Sequence, residues 1–315
     1  MNKYVICAFY LVASLMAGAQ ETFTVYVRND CNELVTNATV TLKTMNKLVL
    51  FGSDNAGNFD TYKAVTDTNG CATIGFNCLN GSFSWWVSAP NYYDHESETV
   101  EFKLMEDNPL HPELLEHDVS RNVILRRKVA PRPMYLRGAY PRVKLIRKSG
   151  VFGFDLKEFD WVSPNGKGEI ADFFVKQSYS DDAKECSVSG AMMFAEGCGG
   201  YVCKKFENKS FTSAYQAETN HAFASEFEFE EAWSKVGRSL LRRKVILNGD
   251  EYMVLRTRAV KDGRGNVVKV NYSEILGPFA ITFDGVEAHL SIFNPDVNDT
   301  NLEYDWKQNL KRRRR

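Results

Sequence analysis

The sequence predicts an all-β protein of two antiparallel β-sandwich domains. Apolar residues recur at every second position in short runs along both halves of the chain. Clusters of Asn, Asp and Gly separate those runs, and only one stretch, residues 229–241, reads as helical, with Gly237 weakening it. Alternation of that kind buries one face of each strand and leaves the other in water, which is the signature of antiparallel sheets.

The elements follow in order. Phe23, Val25 and Val27 alternate with Thr24 and Tyr26, and Ala38, Val40 and Leu42 repeat the pattern. Ala72, Ile74 and Phe76 form the next run, then Phe83, Trp85, Val87 and Ala89, then Val100, Phe102 and Leu104. Val123 and Leu125 supply a closing strand. In the second half, Phe152, Phe154 and Leu156 lead a strand, residues 170–175 form another, and residues 252–260 and 267–272 flank a Gly-rich loop as a hairpin.

The first third also carries a resemblance. Val35-Thr36-Asn37-Ala38-Thr39-Val40-Thr41-Leu42, then Thr66-Asp67-Thr68-Asn69-Gly70-Cys71-Ala72, then Val87-Ser88-Ala89-Pro90-Asn91-Tyr92 together resemble the carboxypeptidase regulatory-like domain, a transthyretin-like, Ig-like sandwich, over residues 21–127. The middle block fits a turn closed by Asp67 and Asn69, with Gly70 supplying positive φ. Asn91 stands where that family has glycine, a substitution the left-handed region tolerates. The stretch 46–61 is longer than the family needs. The resemblance implies a scaffold or adhesive module without chemistry of its own. The remainder resembles secreted bacterial proteins of unassigned activity, whose last blocks read like Asn294-Pro295-Asp296-Val297-Asn298-Asp299.

Compartment is read from the first residues. Lys3 precedes an uncharged apolar run from Tyr4 to Met16, and Ala17-Gly18-Ala19 offers a small-residue cleavage site, so residues 1–19 are expected to be a signal peptide. That run is too short to span a bilayer, which needs about 20 apolar residues. The expected location is therefore secreted, periplasmic or outer surface. The expected domains are 20–128, a basic linker at 129–150, 151–310, and a basic tail at 311–315.

Loss of Cys7 with the leader leaves Cys31, Cys71, Cys78, Cys186, Cys198 and Cys203 from the seven cysteines. An even number permits disulfides in an exported chain, and Cys198 with Cys203 form a candidate pair across Gly199-Gly200. The net charge of −1 gives the whole chain no preference for anionic partners. Residues 121–150 nevertheless hold ten Lys and Arg and no acid. They face an anionic polymer or pair with acidic neighbours such as Glu113, Glu116 and Asp118. The tail Lys311-Arg312-Arg313-Arg314-Arg315 would add about 1 kcal/mol per charge at an anionic surface.

For binding, Trp86 is expected to point outward next to an inward Trp85, with Tyr92 and Tyr93 near it. Flat aromatic faces of that kind stack on sugar rings. The expected function is thus an exported, non-catalytic binding or structural module of the cell envelope or exterior, with polysaccharide or an envelope surface as partner and no nucleic acid, cofactor or metal. The alternative is a secreted hydrolase of extracellular polysaccharide. It needs two carboxyl groups a few ångströms apart, for which Asp155, Asp160 and Asp172 are the candidates. His111 and His117 are too far apart for a shared metal, about 240° on a helix or about 20 Å on a strand. Asp296, Asn298, Asp299, Asn301 and Glu303 crowd oxygen ligands as calcium loops do, but without the glycine such a loop turns on.

Overall fold

The computed structural model describes residues 21–45, 59–76, 82–95, 98–101, 118–138, 140–207 and 210–311. The signal peptide, Cys78, Phe102, Leu104, the His111–His117 pair with Glu113 and Glu116, and the tail beyond Lys311 lie outside the described residues. Among the described residues the chain forms nineteen β-strands and one 3-10 turn, Trp306–Gln308, and no α-helix. Among the described residues no helix is long and apolar enough to cross a membrane. The chain divides into two units: residues 1–128 with 206–212, and residues 129–205 with 213–315.

The first unit is a sandwich of two sheets. One holds β1 (Glu21–Asn29) between β4 (Cys71–Phe76) and β7 (Asp118–Leu125). The other runs β3 (Phe59–Val65), β2 (Thr39–Met45), β5 (Ser82–Ser88), β6 (Glu98–Glu101). Every pairing is antiparallel except β1 with β7, which run parallel. The alternation expected from sequence is the alternation observed. Phe23, Val25 and Val27 from one sheet meet Val40, Leu42, Phe83, Trp85 and Val87 from the other. Phe23 lies edge-on to Phe83 and Trp85, with ring centroids 4.9 and 5.0 Å away. Burying each such side chain is worth about 1.5–3 kcal/mol, so this aromatic layer is the main source of cohesion between the sheets.

The turn before β4 has the expected construction. Asp67 Oδ1 accepts the backbone N–H groups of Asn69 and Cys71 at 2.8 and 2.9 Å, and Gly70 takes φ 66°. A Cβ on Gly70 would lie 2.6 Å from the Val27 carbonyl oxygen. Asn91 likewise adopts φ 66°. Residues 206–212, distant in sequence, join this unit: the Ser210 N–H donates to the Ile124 carbonyl at 3.0 Å, and Phe211 packs on Tyr93 with centroids 4.7 Å apart.

The second unit holds two six-stranded sheets. The first runs β11 (Asp160–Trp161), β10 (Gly150–Asp155), β12 (Phe173–Asp181), β13 (Glu185–Met193), β15 (Glu226–Ser234), β16 (Ser239–Lys244). The second runs β14 (Gly199–Lys204), β17 (Glu251–Lys261), β18 (Val267–Thr282), β19 (Gly285–Phe293), β8 (Tyr135–Arg137), with β9 (Arg142–Val143) also on β19. Phe154, Phe173, Phe229, Leu255, Ile275 and Phe279 build the core they share. A second cluster, including Met134, Tyr201, Val254, Tyr272, Ile292 and Leu302, covers the other face of the second sheet. That explains why β18 is buried on both faces over 270–277 and shows little alternation.

Three sequence expectations change here. The helix expected over 229–241 is the β15–β16 hairpin. Phe229 and Glu231 point into the unit and the alternating Glu228 and Glu230 point out, so a period of two overrode the helix-forming glutamates. Within 129–150, expected as a basic linker that packs extended, β8 and β9 form strands on the second sheet and Leu136 is buried. Cys198 and Cys203 are both free thiols, as are Cys31, Cys71 and Cys186. Positions 198 and 203 differ in parity, and along an extended strand that sends their side chains to opposite faces.

Candidate functional site

The aromatic trio separates. Trp85 is buried and Trp86 half-buried on the outer side of its sheet, opposite Thr41. Tyr92 is also half-buried, packed at the edge of the first core, with the Arg127 guanidinium 5.8 Å from its ring centroid. Tyr93 is only 8% exposed, wedged against Phe211 with the Lys128 ammonium 5.2 Å from its ring. Its face is occupied by the fold, which leaves Trp86 and the exposed part of Tyr92 from that trio.

Asp155 and Asp172 do come together, across one guanidinium. Arg258 Nε donates to Asp172 Oδ1 at 2.8 Å and Nη2 to Asp172 Oδ2 at 2.9 Å, while Nη2 also reaches Asp155 Oδ1 at 3.0 Å. A bulge in β17 after Thr257 gives Arg258 a left-handed φ of 52° and turns its side chain toward the carboxylates and over the Phe293 ring, 4.3 Å away. Asp155 accepts from the backbone N–H groups of Lys157 and Glu169 at 2.9 Å each, and Asp172 accepts from Leu156 at 2.7 Å. Both carboxylates are buried. Burial pushes the Asp172 pKa up, against the Arg258 guanidinium and the Leu156 amide. Burial also works against the charge on Arg258, but Asp172 and Asp155 hold its pKa above the ordinary guanidinium value. Asp160 stands apart from the pair and accepts the Lys167 N–H at 3.1 Å, closing the loop after β11.

The oxygen-rich block near the C-terminus is aimed at backbone amides. Asp299 Oδ1 accepts from Asn301 N–H at 3.0 Å, Asn301 Oδ1 from Glu303 at 2.7 Å, and Asn298 Oδ1 from Val270 at 3.0 Å. The buried Glu303 carboxylate accepts from Val129 and Ala130 N–H groups, both at 2.7 Å. The remaining residue, Asp296, donates its N–H to Asn294 Oδ1 at 2.9 Å. These are Asx turns and a carboxylate clamp on the start of the second unit.

The basic stretch 121–150 is largely spent inside its own units. Arg132 approaches Asp299 at 3.9 Å, Arg137 approaches Glu158 at 3.7 Å, and Arg142 pairs with Glu287 and Asp284. Among the described residues these arginines thus meet Asp299, Glu158, Glu287 and Asp284, while Glu113 and Glu116 lie outside the described residues.

One concave site was not visible from the sequence. A cleft of about 550 Å³ opens at one end of the second unit. Tyr179, Phe283 and Trp233 supply its aromatic surface, with Tyr179 and Phe283 centroids 5.7 Å apart. Its charges alternate: Arg243 lies 3.8 Å from Glu231 and 3.8 Å from Glu287, and Glu287 in turn bonds Arg142. The buried Glu231 also accepts the Phe283 N–H at 2.9 Å. Asp181 takes Lys235 at 2.5 Å and the Tyr179 hydroxyl at 3.3 Å. Burial, followed by the Asp181 charge, raises the Tyr179 pKa. Because these groups come from segments around 142–147, 179–186, 231–243 and 282–287, no local motif announces them.

No family model matches the chain, that of the carboxypeptidase regulatory-like domain included. No curated protein matches it either. Among solved structures it is similar to a catechol 1,2-dioxygenase mutant of Acinetobacter radioresistens, 15% identical over 36% of this chain, with a TM-score of 0.24. This chain spans 54% of that dioxygenase. It is also similar to the major pilin SpaD of Corynebacterium diphtheriae, at 9% identity, covering 90% of this chain and 83% of the pilin, with a TM-score of 0.26. The shaft pilin SpaA of Lactobacillus rhamnosus GG gives 10% identity, 78% and 89% coverage, and a TM-score of 0.25. Superpositions that loose carry no argument, and the all-β architecture rests on the strand ladders themselves.

Proposed function

We propose that the chain is an exported, non-catalytic binding or structural module of the cell envelope or exterior. The observation that carries this reading is the Asp155–Arg258–Asp172 cluster. The hydrolase alternative requires paired carboxylates open to a substrate, with one able to give up a proton and the other to face the reacting carbon. Here the carboxylates that do pair are buried, share one guanidinium and accept backbone N–H groups. Their geometry serves the fold of the loops at 156–158 and 169–170. Export rests on the apolar run and small-residue site over 1–19. A glycan partner rests on Trp86, whose ring is partly open to solvent.

The test is electrophoresis of the chain from residue 20 through gels containing neutral or acidic polysaccharides, followed by staining of the polysaccharide. Retarded migration with intact polysaccharide is the expected result, and Trp86→Ala should reduce retardation by neutral glycans. A cleared zone around the band would overturn the non-catalytic reading.

A further inference from the structure

Asn-Gly pairs occur in the chain at 69–70, 80–81, 165–166 and 248–249. A glycine after asparagine has no side chain to shield its amide nitrogen, so that nitrogen can approach the asparagine Cγ and displace ammonia. Hydrogen bonds that hold either reacting group in place oppose the approach. The pair at 80–81 lies outside the described residues, and the other three differ in how they are held. At the first, the Gly70 N–H donates to the Asp67 carbonyl at 3.0 Å and Asn69 Nδ2 to Asp67 Oδ2 at 3.4 Å. At the last, Asn248 Nδ2 donates to Glu251 Oε2 at 3.0 Å, and the same oxygen accepts the Asn248 N–H at 2.8 Å. At Asn165–Gly166 neither the side-chain amide nor the glycine N–H makes a hydrogen bond among the described residues, and Asn165 is exposed. Asn165 is anchored through its own N–H, which donates to the Val162 carbonyl at 3.1 Å. Packing demands the glycine, because a Cβ at Gly166 would lie 2.5 Å from Asp160 Oδ1 and closer still to the Trp161 carbonyl oxygen. The loop therefore keeps its reactive pair and leaves both reacting groups untied.

We infer that Asn165 is a site of spontaneous deamidation in the folded protein, ahead of Asn69 and Asn248. The Gly166 nitrogen gives up its proton and bonds to Asn165 Cγ. The Cγ–Nδ2 bond breaks, and the amide nitrogen leaves as ammonia with that proton. Water then opens the cyclic imide, and nothing is oxidised or reduced. Opening on the Cγ side leaves an aspartyl residue at that position. Opening on the backbone-carbonyl side leaves an isoaspartyl residue, whose main chain is one carbon longer. Both products add a negative charge next to Asp160. The longer one also strains the loop that the Lys167 N–H closes on Asp160 Oδ2 at 3.1 Å. The inference is independent of the binding reading.

Peptide mapping by mass spectrometry of the chain from residue 20, held at mildly alkaline pH either folded or in urea, tests it. In the folded protein Asn165 is expected to deamidate at least about fivefold faster than Asn69 or Asn248, the factor that one ordinary hydrogen bond supplies. In urea, where those bonds are gone, the three rates should converge. Glu251→Ala removes the acceptor of the Asn248 amide and should speed deamidation there about fivefold, leaving Asn165 unchanged. Asn165→Ser should remove the main acidic charge variant that arises from the three positions. A folded protein in which Asn165 is no faster than the other two overturns the assignment. So does the same ratio of rates in urea, which would place the selectivity in the neighbouring sequence and not in the fold.

Discussion

Arg258 of β17 and Asp172, just before β12, form a two-pronged ion pair, 2.8 and 2.9 Å, between residues 86 positions apart in the chain. The Asp172 side chain is fully buried and that of Arg258 is 15% exposed. Arg258→Met would strand two buried carboxylates, Asp155 and Asp172, without their counter-charge. Breaking one partner of a buried pair costs about 3–5 kcal/mol, so urea unfolding should show a loss of that size. Arg258→Lys should recover only part of it, because one ammonium cannot reproduce the fork. A loss below about 1 kcal/mol for Arg258→Met would mean that the carboxylates are content without the guanidinium.

Trp85 and Trp86 are neighbours with opposite fates. Trp85 is 1% exposed, edge-on to Phe23 and stacked on His95 with centroids 4.9 Å apart. Trp85→Ala is expected to cost about 3–5 kcal/mol through lost burial and the cavity left behind. Trp86→Ala, on the outer side of the same strand, should cost about 1 kcal/mol or less. Comparing the two midpoints in one denaturant series checks the direction in which β5 faces. Equal losses would contradict it.

This inward–outward pair was legible in the sequence, as were most strands of the first unit, because each is amphipathic on its own and ends at a local turn. The hairpin of β17 and β18 was legible for the same reason. Strand β18 beyond Tyr272 was not, since a strand buried on both faces has no alternation to read. The β15–β16 hairpin was hidden by glutamates whose residue preference is helical, although their spacing was two. Asp155 and Asp172 could be named as a possible pair, but Arg258 could not, because its aim depends on a bulge and a left-handed φ. The cleft was least visible: Glu231, Arg243 and Glu287 are ordinary surface-type residues until three separate strands bring them to one end of the sheets.

Gly190 marks a tight crossing between β12 and β13. It sits opposite Gln177, and a Cβ there would lie 1.9 Å from the Lys176 carbonyl oxygen. Backbone cannot yield as a flexible side chain can, so Gly190→Ala must push the two strands apart. A cost of about 1–3 kcal/mol is expected, with faster amide exchange along β12 and β13. Gly263→Ala, in the exposed loop with nothing within 4 Å of its added Cβ, is the matched comparison and should be close to neutral. A Gly190→Ala protein as stable as the Gly263→Ala protein would show that the crossing is looser than the geometry implies.

The loop between β17 and β18 should respond to acid. Asp262 Oδ1 accepts from Arg264 and Asn266 N–H groups at 2.8 and 2.9 Å. The Asn266 amide, first, with help from its side chain and from Arg264, holds the Asp262 pKa below the ordinary carboxylate value. A carboxyl that is more acidic folded than unfolded stabilises the folded form above its unfolded pKa, and the contribution is lost as pH falls through the folded pKa. The turn should therefore be at full strength at neutral pH and loosen below about pH 4, the ordinary carboxylate range. Amide shifts of Arg264 and Asn266 followed by NMR from pH 6 to 2 should move together with a midpoint below 3.8, the ordinary Asp value. Asp262→Asn keeps an oxygen acceptor but no titrating group, so those shifts should stay flat across the same range. A midpoint at or above the ordinary value would mean that the amides do not favour the charged form of Asp262.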